Sequence, residues 1–164
     1  MMRSLAEYFR ENSKLIILLQ GETAKGTLLE QFISQSHSVL VATSSFWEGV
    51  DVRGDALSLV IIDKLPFTAP DEPLLKARIE DCRLQGGEPF NDIQIPEAVI
   101  TLKQGVGRLI RDVTDRGVVI ICDNRLVMRP YGETFLRSLP NFKRTRDLHK
   151  VVQFLTTINK EESE

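Results

Sequence analysis

Four short runs of apolar, mostly β-branched residues alternate along the chain with longer segments in which apolar residues recur at helical spacing. The short runs show no apolar–polar alternation, which is typical of strands buried on both faces. They cover residues 15–19, 39–43, 57–62 and 117–122. The helical segments cover residues 4–11, 25–35, 73–85, 96–111 and 146–158. The alternation predicts an α/β fold with one parallel sheet and helices on both of its faces.

The two ends of the chain depart from this alternation. A helix is predicted at residues 4–11 with no strand before it, although a doubly wound domain normally begins with a strand, so we expect the sheet to lack its first strand. The length of 164 residues and the 42% hydrophobic content fit one domain. We assign residues 1–158 to that domain and expect the polar residues 159–164 to form a disordered tail.

Composition limits the kinds of site that the domain can carry. The formal net charge is -2, so any contact with nucleic acid must be local. Cys82 and Cys122 belong to no Cys/His cluster, which suggests neither a metal site nor a disulfide framework and fits a reducing cytoplasmic compartment. The longest apolar runs are too short to span a bilayer.

The predicted helix 96–111 carries the motif QxxGRxxR, formed by Gln104, Gly107, Arg108 and Arg111. At about 100° per residue, its apolar positions share one face. Gln104, Arg108 and Arg111 then cluster on the opposite face. Two arginines one turn apart repel each other by a few tenths of a kcal/mol, and they suit a polyphosphate, to which guanidinium groups offer planar donors. The alternative is a solvated basic face paired with carboxylates.

A second motif, ATxxxxxGxD, begins at Ala42-Thr43 and ends at Gly49 and Asp51. It follows a predicted strand, where ligand-binding loops lie in open α/β sheets. Together and in this order, the two motifs resemble motifs V and VI of superfamily-two helicases. Glu48 before Gly49, the preceding Phe46-Trp47 and the segment 59–67 resemble the DinG/XPD-like branch, and the resemblance covers residues 18–139.

The resemblance implies a RecA-like C-terminal motor domain of the P-loop NTPase type, with ATP and single-stranded DNA as ligands. Arg108 and Arg111 would be arginine fingers on the γ-phosphate, with Gln104 beside them. The residues implied at the nucleotide are Glu48, Gly49, Asp51 and Gly107. Those implied at the DNA are Gln20, Thr43, Ser44, Ser45 and Trp47. Each also has a purely structural interpretation: Asp51 capping a turn, Trp47 in the core and Thr43 ending its strand.

The phosphate-binding motif GxxxxGK[ST] occurs nowhere in the sequence. In the family that this chain resembles, that motif, the Mg²⁺-binding acidic motif and an iron–sulfur cluster lie in the other half of the protein. We therefore expect the chain to hydrolyse no ATP alone and to act with the protein's first motor domain. The resemblance further implies 5′ to 3′ movement on DNA and a role in DNA repair.

The predicted C-terminal helix allows a different function, docking to a protein. Its expected inward stripe contains Leu148, Val151, Val152, Leu155 and Ile158. Phe154 lies about 100° away from that stripe, which makes it a candidate interface residue together with Val151. The alternative is a broad stripe that buries Phe154 too. The resemblance to helicases of this type implies work with the chi subunit of the bacterial replicative polymerase, so chi is the partner to test first. A third interpretation is a nucleotide-binding α/β domain unrelated to DNA.

Overall fold

The computed structural model describes residues 1–47, 57–69, 71–110 and 115–161. The strands are β1 (Ile16–Leu19), β2 (Ser38–Val41), β3 (Leu59–Ile62) and β4 (Val118–Ile121). The α-helices are α1 (Met2–Asn12), α2 (Lys25–Ser34), α3 (Pro73–Leu84), α4 (Ile95–Val106), α5 (Arg125–Met128), α6 (Gly132–Ser138) and α7 (Leu148–Glu161). A 3-10 turn covers Ser44–Trp47 and a π-helical turn covers Phe90–Gln94. The mixed α/β class is confirmed.

The strands form two parallel pairs. β1 pairs with β2 from Ile16 opposite Ser38, and β3 pairs with β4 from Leu59 opposite Val118. In the described residues no hydrogen-bonded ladder joins the pairs, whereas we predicted one sheet. Each strand has only four residues, and each pair is stabilised by an apolar cluster of its own.

The β1–β2 pair is covered by a helix on each face. Successive strand residues point to opposite faces, so Ile17 and Leu19 pack with Ala6 of α1, while Leu18 packs with Leu28 of α2. This arrangement explains why β1 is an apolar run without alternation, and it confirms helices on both faces for this pair.

The β3–β4 pair packs against α4, α5 and α6. Ile62 and Leu65 contact a cluster that includes Leu102, Val106 and Phe135. The prediction that both faces of every strand are buried is wrong here, because Ile61 of β3 is 57% exposed. Its side chain lies on the face opposite Ile62.

The two strand pairs are connected through α4. This helix contacts the turn Ser44–Trp47 that follows β2, the π-helical turn before it, and α6. Pro96 lies in its first turn, where the missing N–H costs no hydrogen bond. Because α4 contacts elements of both halves, it determines how the loops after β2 and the end of the QxxG segment lie relative to each other.

At the C-terminal end, α7 continues to Glu161, past residue 159 where we expected the tail to start. In the described part of the chain, every helix is too short or too polar to cross a membrane.

Candidate functional site

The QxxGRxxR motif lies at the end of α4 and not within a longer helix. The helix ends at Val106, with Gly107 as its C-cap, so the prediction of a helix to residue 111 is wrong. Gln104 and Gly107 are exposed, and Arg108 is half-buried. Arg108 therefore lies on a tight turn just beyond the helix that contains Gln104. Arg111 lies outside the described residues.

The change of backbone geometry at this point has a local cause. The Gly107 N–H donates to the carbonyl of Lys103, whereas the Leu109 N–H donates to Val106, three residues back. Bonds of this shorter kind tighten a last helical turn, and Gly105 and Gly107 weaken the helix around them. Leu109 is fully buried, as the apolar pattern predicted. Its side chain packs so closely on Gly117 that a Cβ there would lie 2.5 Å from Leu109 Cδ1.

Three of the predicted DNA-contacting residues form one hydrogen-bonded set after β1 and β2. Gln20 Oε1 accepts from the Thr43 backbone N–H at 2.8 Å and from Thr43 Oγ1 at 3.1 Å. Thr43 Oγ1 and Ser45 Oγ are 2.7 Å apart. Because the single Thr43 hydroxyl proton goes to Gln20, Ser45 is the donor to Thr43. The structure thus brings Gln20, Thr43 and Ser45 together at the carboxyl ends of two parallel strands.

The bonds from Thr43 to Gln20 in this set also hold together the residues that follow β1 and β2. Thr43, Ser44 and Ser45 remain exposed, while the neighbouring Phe46 is buried. The ammonium group of Lys25 lies 5.1 Å from the centre of the Phe46 ring. The side chain of Trp47 lies outside the described residues, as do the predicted nucleotide residues Glu48, Gly49 and Asp51.

Sequence reasoning missed an acidic residue after β4. The Asp123 side chain is only 5% exposed. Its carboxylate accepts from the backbone N–H groups of Leu65, at 2.9 Å, and Arg125, at 3.0 Å. The Arg125 guanidinium adds contacts of 2.6 to 3.0 Å. The Arg125 guanidinium, and then these backbone donors, lower the pKa of Asp123 to about 2. The pair Asp123–Arg125 therefore joins the loops that follow β3 and β4.

An aromatic cluster lies beside this pair, and the sequence analysis missed it as well. We use the name aromatic cluster for Phe67, Phe90, Tyr131 and Phe135, whose ring centres are 5.3 to 6.2 Å apart. The guanidinium carbon of Arg125 lies 5.4 Å from the centre of the Phe67 ring. The sequence signal was available in Asp123-Asn-Arg125 directly after a strand and in Phe67 within the proline-rich loop.

Helix α7 shows an inward stripe that differs from the prediction. Ile158 is buried and Val151 and Leu155 are half-buried, but Leu148 and Val152 are exposed. Val151 faces inward because it lies one turn before Leu155 and two before Ile158, so as an interface residue it would contribute little surface. Phe154 is 44% exposed, which rules out the broad stripe that would bury it.

Comparison with known proteins places this arrangement in a family. Residues 1–142 match the family model described as the helicase C-terminal domain, so this chain belongs to the helicase C-terminal domain family. It is 90% identical over 155 residues to "ATP-dependent DNA helicase YoaA" of Haemophilus influenzae and 73% identical to the Escherichia coli protein of that name. It is 43% identical over 149 residues to "ATP-dependent helicase DinG" of Mycobacterium tuberculosis.

These matches cover most of this chain but a small part of each relative. They span 94% of the chain and 24% of the two YoaA proteins, and 91% of the chain and 22% of the DinG protein. The chain thus spans about a quarter of the length of these relatives. The predicted resemblance to the C-terminal domain of DinG-like helicases, including the YoaA type, is confirmed. The family assignment gives no support to a nucleotide-binding domain unrelated to DNA.

Proposed function

We propose that this chain is the second, RecA-like motor domain of an ATP-dependent DNA helicase that moves 5′ to 3′. It supplies one wall of the ATP cleft and part of the track for single-stranded DNA. The observation that carries the proposal is the occurrence of the QxxGR turn and the Gln20–Thr43–Ser45 set in one domain. They lie at the end of α4 and after β2, and α4 contacts the turn that contains Ser45.

On the nucleotide side, Arg108 is the described residue best suited to an arginine finger. It is half-buried on a tight turn, which restricts the positions that its guanidinium can reach. Arg111, together with Glu48, Gly49 and Asp51, completes this side of the cleft in the proposal, and Gln104 and Gly107 flank the turn. An arginine that stabilises charge on a transferred phosphoryl group is worth about 10³ to 10⁵ in rate.

On the DNA side, Thr43, Ser44 and Ser45 are exposed. Because Thr43 and Ser45 donate within the set, the Ser44 hydroxyl is the side-chain donor among the three that is left for a phosphate. Groups of this kind bind phosphates without reading sequence. Since the Gln20 oxygen is committed to Thr43, its amide N–H₂ is the part of that side chain available for a phosphate oxygen. The set therefore fits the sugar–phosphate backbone of one strand, and Trp47 is a further DNA contact in the proposal.

Other components of the motor lie outside this chain in the proposal. The first motor domain holds the phosphate loop and most ligands of the Mg²⁺ that accompanies ATP, so this chain alone does not turn over ATP. An iron–sulfur cluster belongs there as well in the proposal, because the family resemblance implies one in that half of the protein.

The test uses a full-length chimera, in which this chain replaces the matching segment of the 90% identical Haemophilus influenzae relative. We expect single-strand-stimulated ATPase and 5′ to 3′ unwinding, and no turnover by the isolated chain. Thr43→Val and Gln20→Ala should each weaken strand binding several-fold. Thr27→Val, an exposed threonine on α2, is the matched control. A chimera without stimulation by DNA, or with 3′ to 5′ movement, would refute the proposal.

Exposed apolar residues on α7 favour a second function, docking to the chi subunit of the replicative polymerase. Leu148, Val152 and Phe154 are all exposed there, and aromatic residues are frequent interface anchors. Calorimetric titration of the chimera with purified chi should show binding that Phe154→Ala weakens at least tenfold. Leu84→Ala, an exposed leucine on α3, should leave it unchanged. Equal binding by both variants would exclude this surface.

A further inference from the structure

The aromatic cluster lies at the carboxyl ends of β3 and β4. Phe67 is five residues after β3, and Tyr131 and Phe135 follow β4 through α5 and α6. Phe135 is fully buried and belongs to the core, whereas Phe90 is 39% exposed. The cluster therefore has one ring in the core, Phe135, and one ring at the surface, Phe90.

The surface ring is held in a defined orientation by the rings around it. Phe90 stacks on Phe67 with an interplanar angle of 19° and a centre-to-centre distance of 5.8 Å. Tyr131 meets it edge-on at 5.3 Å and 72°. Phe90 also begins the π-helical turn before α4. Such turns are rare in proteins, and those that occur are often found at functional sites.

A positive charge accompanies the rings. The Arg125 guanidinium lies over Phe67, its side chain is 40% exposed, and both carboxylate oxygens of Asp123 hold it in place. The exposed Lys64 and Arg129 lie in the same two loops. An aromatic face next to a fixed guanidinium and further cations is the combination that binds single-stranded nucleic acid, with bases on the rings and phosphates near the cations.

We propose that Phe90, supported by Phe67 and flanked by Arg125, is a base-stacking site for single-stranded DNA. This inference rests on the proposed function and adds a contact to bases, separate from the phosphate contacts of the Gln20–Thr43–Ser45 set. A stacked base needs exposed ring surface, and Phe90 is 39% exposed. Because every base has such a face, the site is tolerant of sequence.

The position of the site also links it to the nucleotide. The π-helical turn that begins at Phe90 continues directly into α4, and α4 ends at the turn that carries Arg108. Leu102 and Val106 of this helix are fully buried, so α4 is held firmly in the core. A base that stacks on Phe90 thus contacts one end of the element whose other end leads into the turn of Arg108.

The experiment compares the chimera with its Phe90→Ala and Phe90→Leu variants. Fluorescence anisotropy measures binding of an oligo(dT) strand and of a strand of the same length made of abasic sites. Phe90→Leu keeps apolar volume but cannot stack, which separates stacking from packing. Tyr8→Ala, an aromatic residue on α1 that is 59% exposed, is the matched control.

We expect both Phe90 variants to weaken binding of oligo(dT) by about five- to fiftyfold. Binding of the abasic strand should stay unchanged, and Tyr8→Ala should behave like the parent. The inference is overturned if Phe90→Leu binds oligo(dT) like the parent, or if both strands lose affinity equally. If the variants match a parent that DNA stimulates, only the stacking site fails. If DNA neither binds nor stimulates the parent, the proposed function fails with it.

Discussion

Replacing Asp123 by asparagine removes one negative charge from a nearly buried position while preserving the shape of the side chain. In the folded chain both carboxylate oxygens accept hydrogen bonds, from the Leu65 N–H and from the backbone and guanidinium of Arg125. An asparagine amide has one oxygen, and its N–H₂ group would face a donor. At least one buried donor is thus left without an acceptor, which costs about 1 to 3 kcal/mol.

The lowered pKa gives an independent magnitude. A carboxyl whose pKa falls from 3.8 to about 2 on folding contributes roughly 2 kcal/mol to the free energy of unfolding at neutral pH. As the pH decreases, the unfolded chain binds a proton at Asp123 before the folded chain does. The contribution is therefore fully present above a pH of about 4 and is lost between about 4 and 2.

The assay is urea unfolding of the 164-residue chain, followed by far-ultraviolet circular dichroism between neutral pH and pH of about 3. Asp123→Asn should lower the free energy of unfolding by about 2 kcal/mol at neutral pH, and this difference should shrink as the solution is acidified. Asp63→Asn, an exposed aspartate directly after β3, should change it by less than about 0.5 kcal/mol. Equal effects of the two substitutions, or a difference that does not vary with pH, would refute the reasoning.

Two further predictions concern packing and a thiol. A Cβ on Gly132 would collide with the carbonyl of Leu126, so Gly132→Ala should destabilise the fold by about 1 to 3 kcal/mol. A Cβ added at Gly26 in α2 would meet no atom within 4 Å, so Gly26→Ala should stabilise the fold by up to about 1 kcal/mol. Urea unfolding of the two variants tests both predictions. Burial, and then neighbouring carboxylates, raise the pKa of the Cys82 thiol. At pH of about 8 a thiol reagent should therefore modify the exposed Cys122 before Cys82. Equal labelling rates of the two cysteines would contradict this prediction.

The sequence predicted the order and type of the main elements because their apolar periodicity is strong. The predicted strand 15–19 became Ile16–Leu19, and the predicted helix 73–85 became Pro73–Leu84. Pro73 begins that helix, a start signal that sequence rules include. Features that local patterns determine were therefore accessible.

Features that depend on distant residues were not accessible. The periodicity of the α4 segment continues past Val106, where Gly105 and Gly107 weaken the helix. The turn that follows packs Leu109 on Gly117, which comes from a separate segment. The aromatic cluster joins Phe67, Phe90 and Tyr131 from three separate segments. Such contacts are created by tertiary packing, and the local spacing of residues does not indicate them.

The central claim is that Arg108 acts on the transferred phosphate. Its most direct test is the single-strand-stimulated ATPase of the chimera with Arg108→Ala, measured together with binding of ATP. Arg137→Ala, on the exposed face of α6, is the control. We predict that Arg108→Ala lowers turnover by about 10³-fold or more while ATP still binds, and that Arg137→Ala turns over like the parent. Turnover by Arg108→Ala at the rate of the parent would contradict the claim and leave Arg108 as a half-buried structural residue.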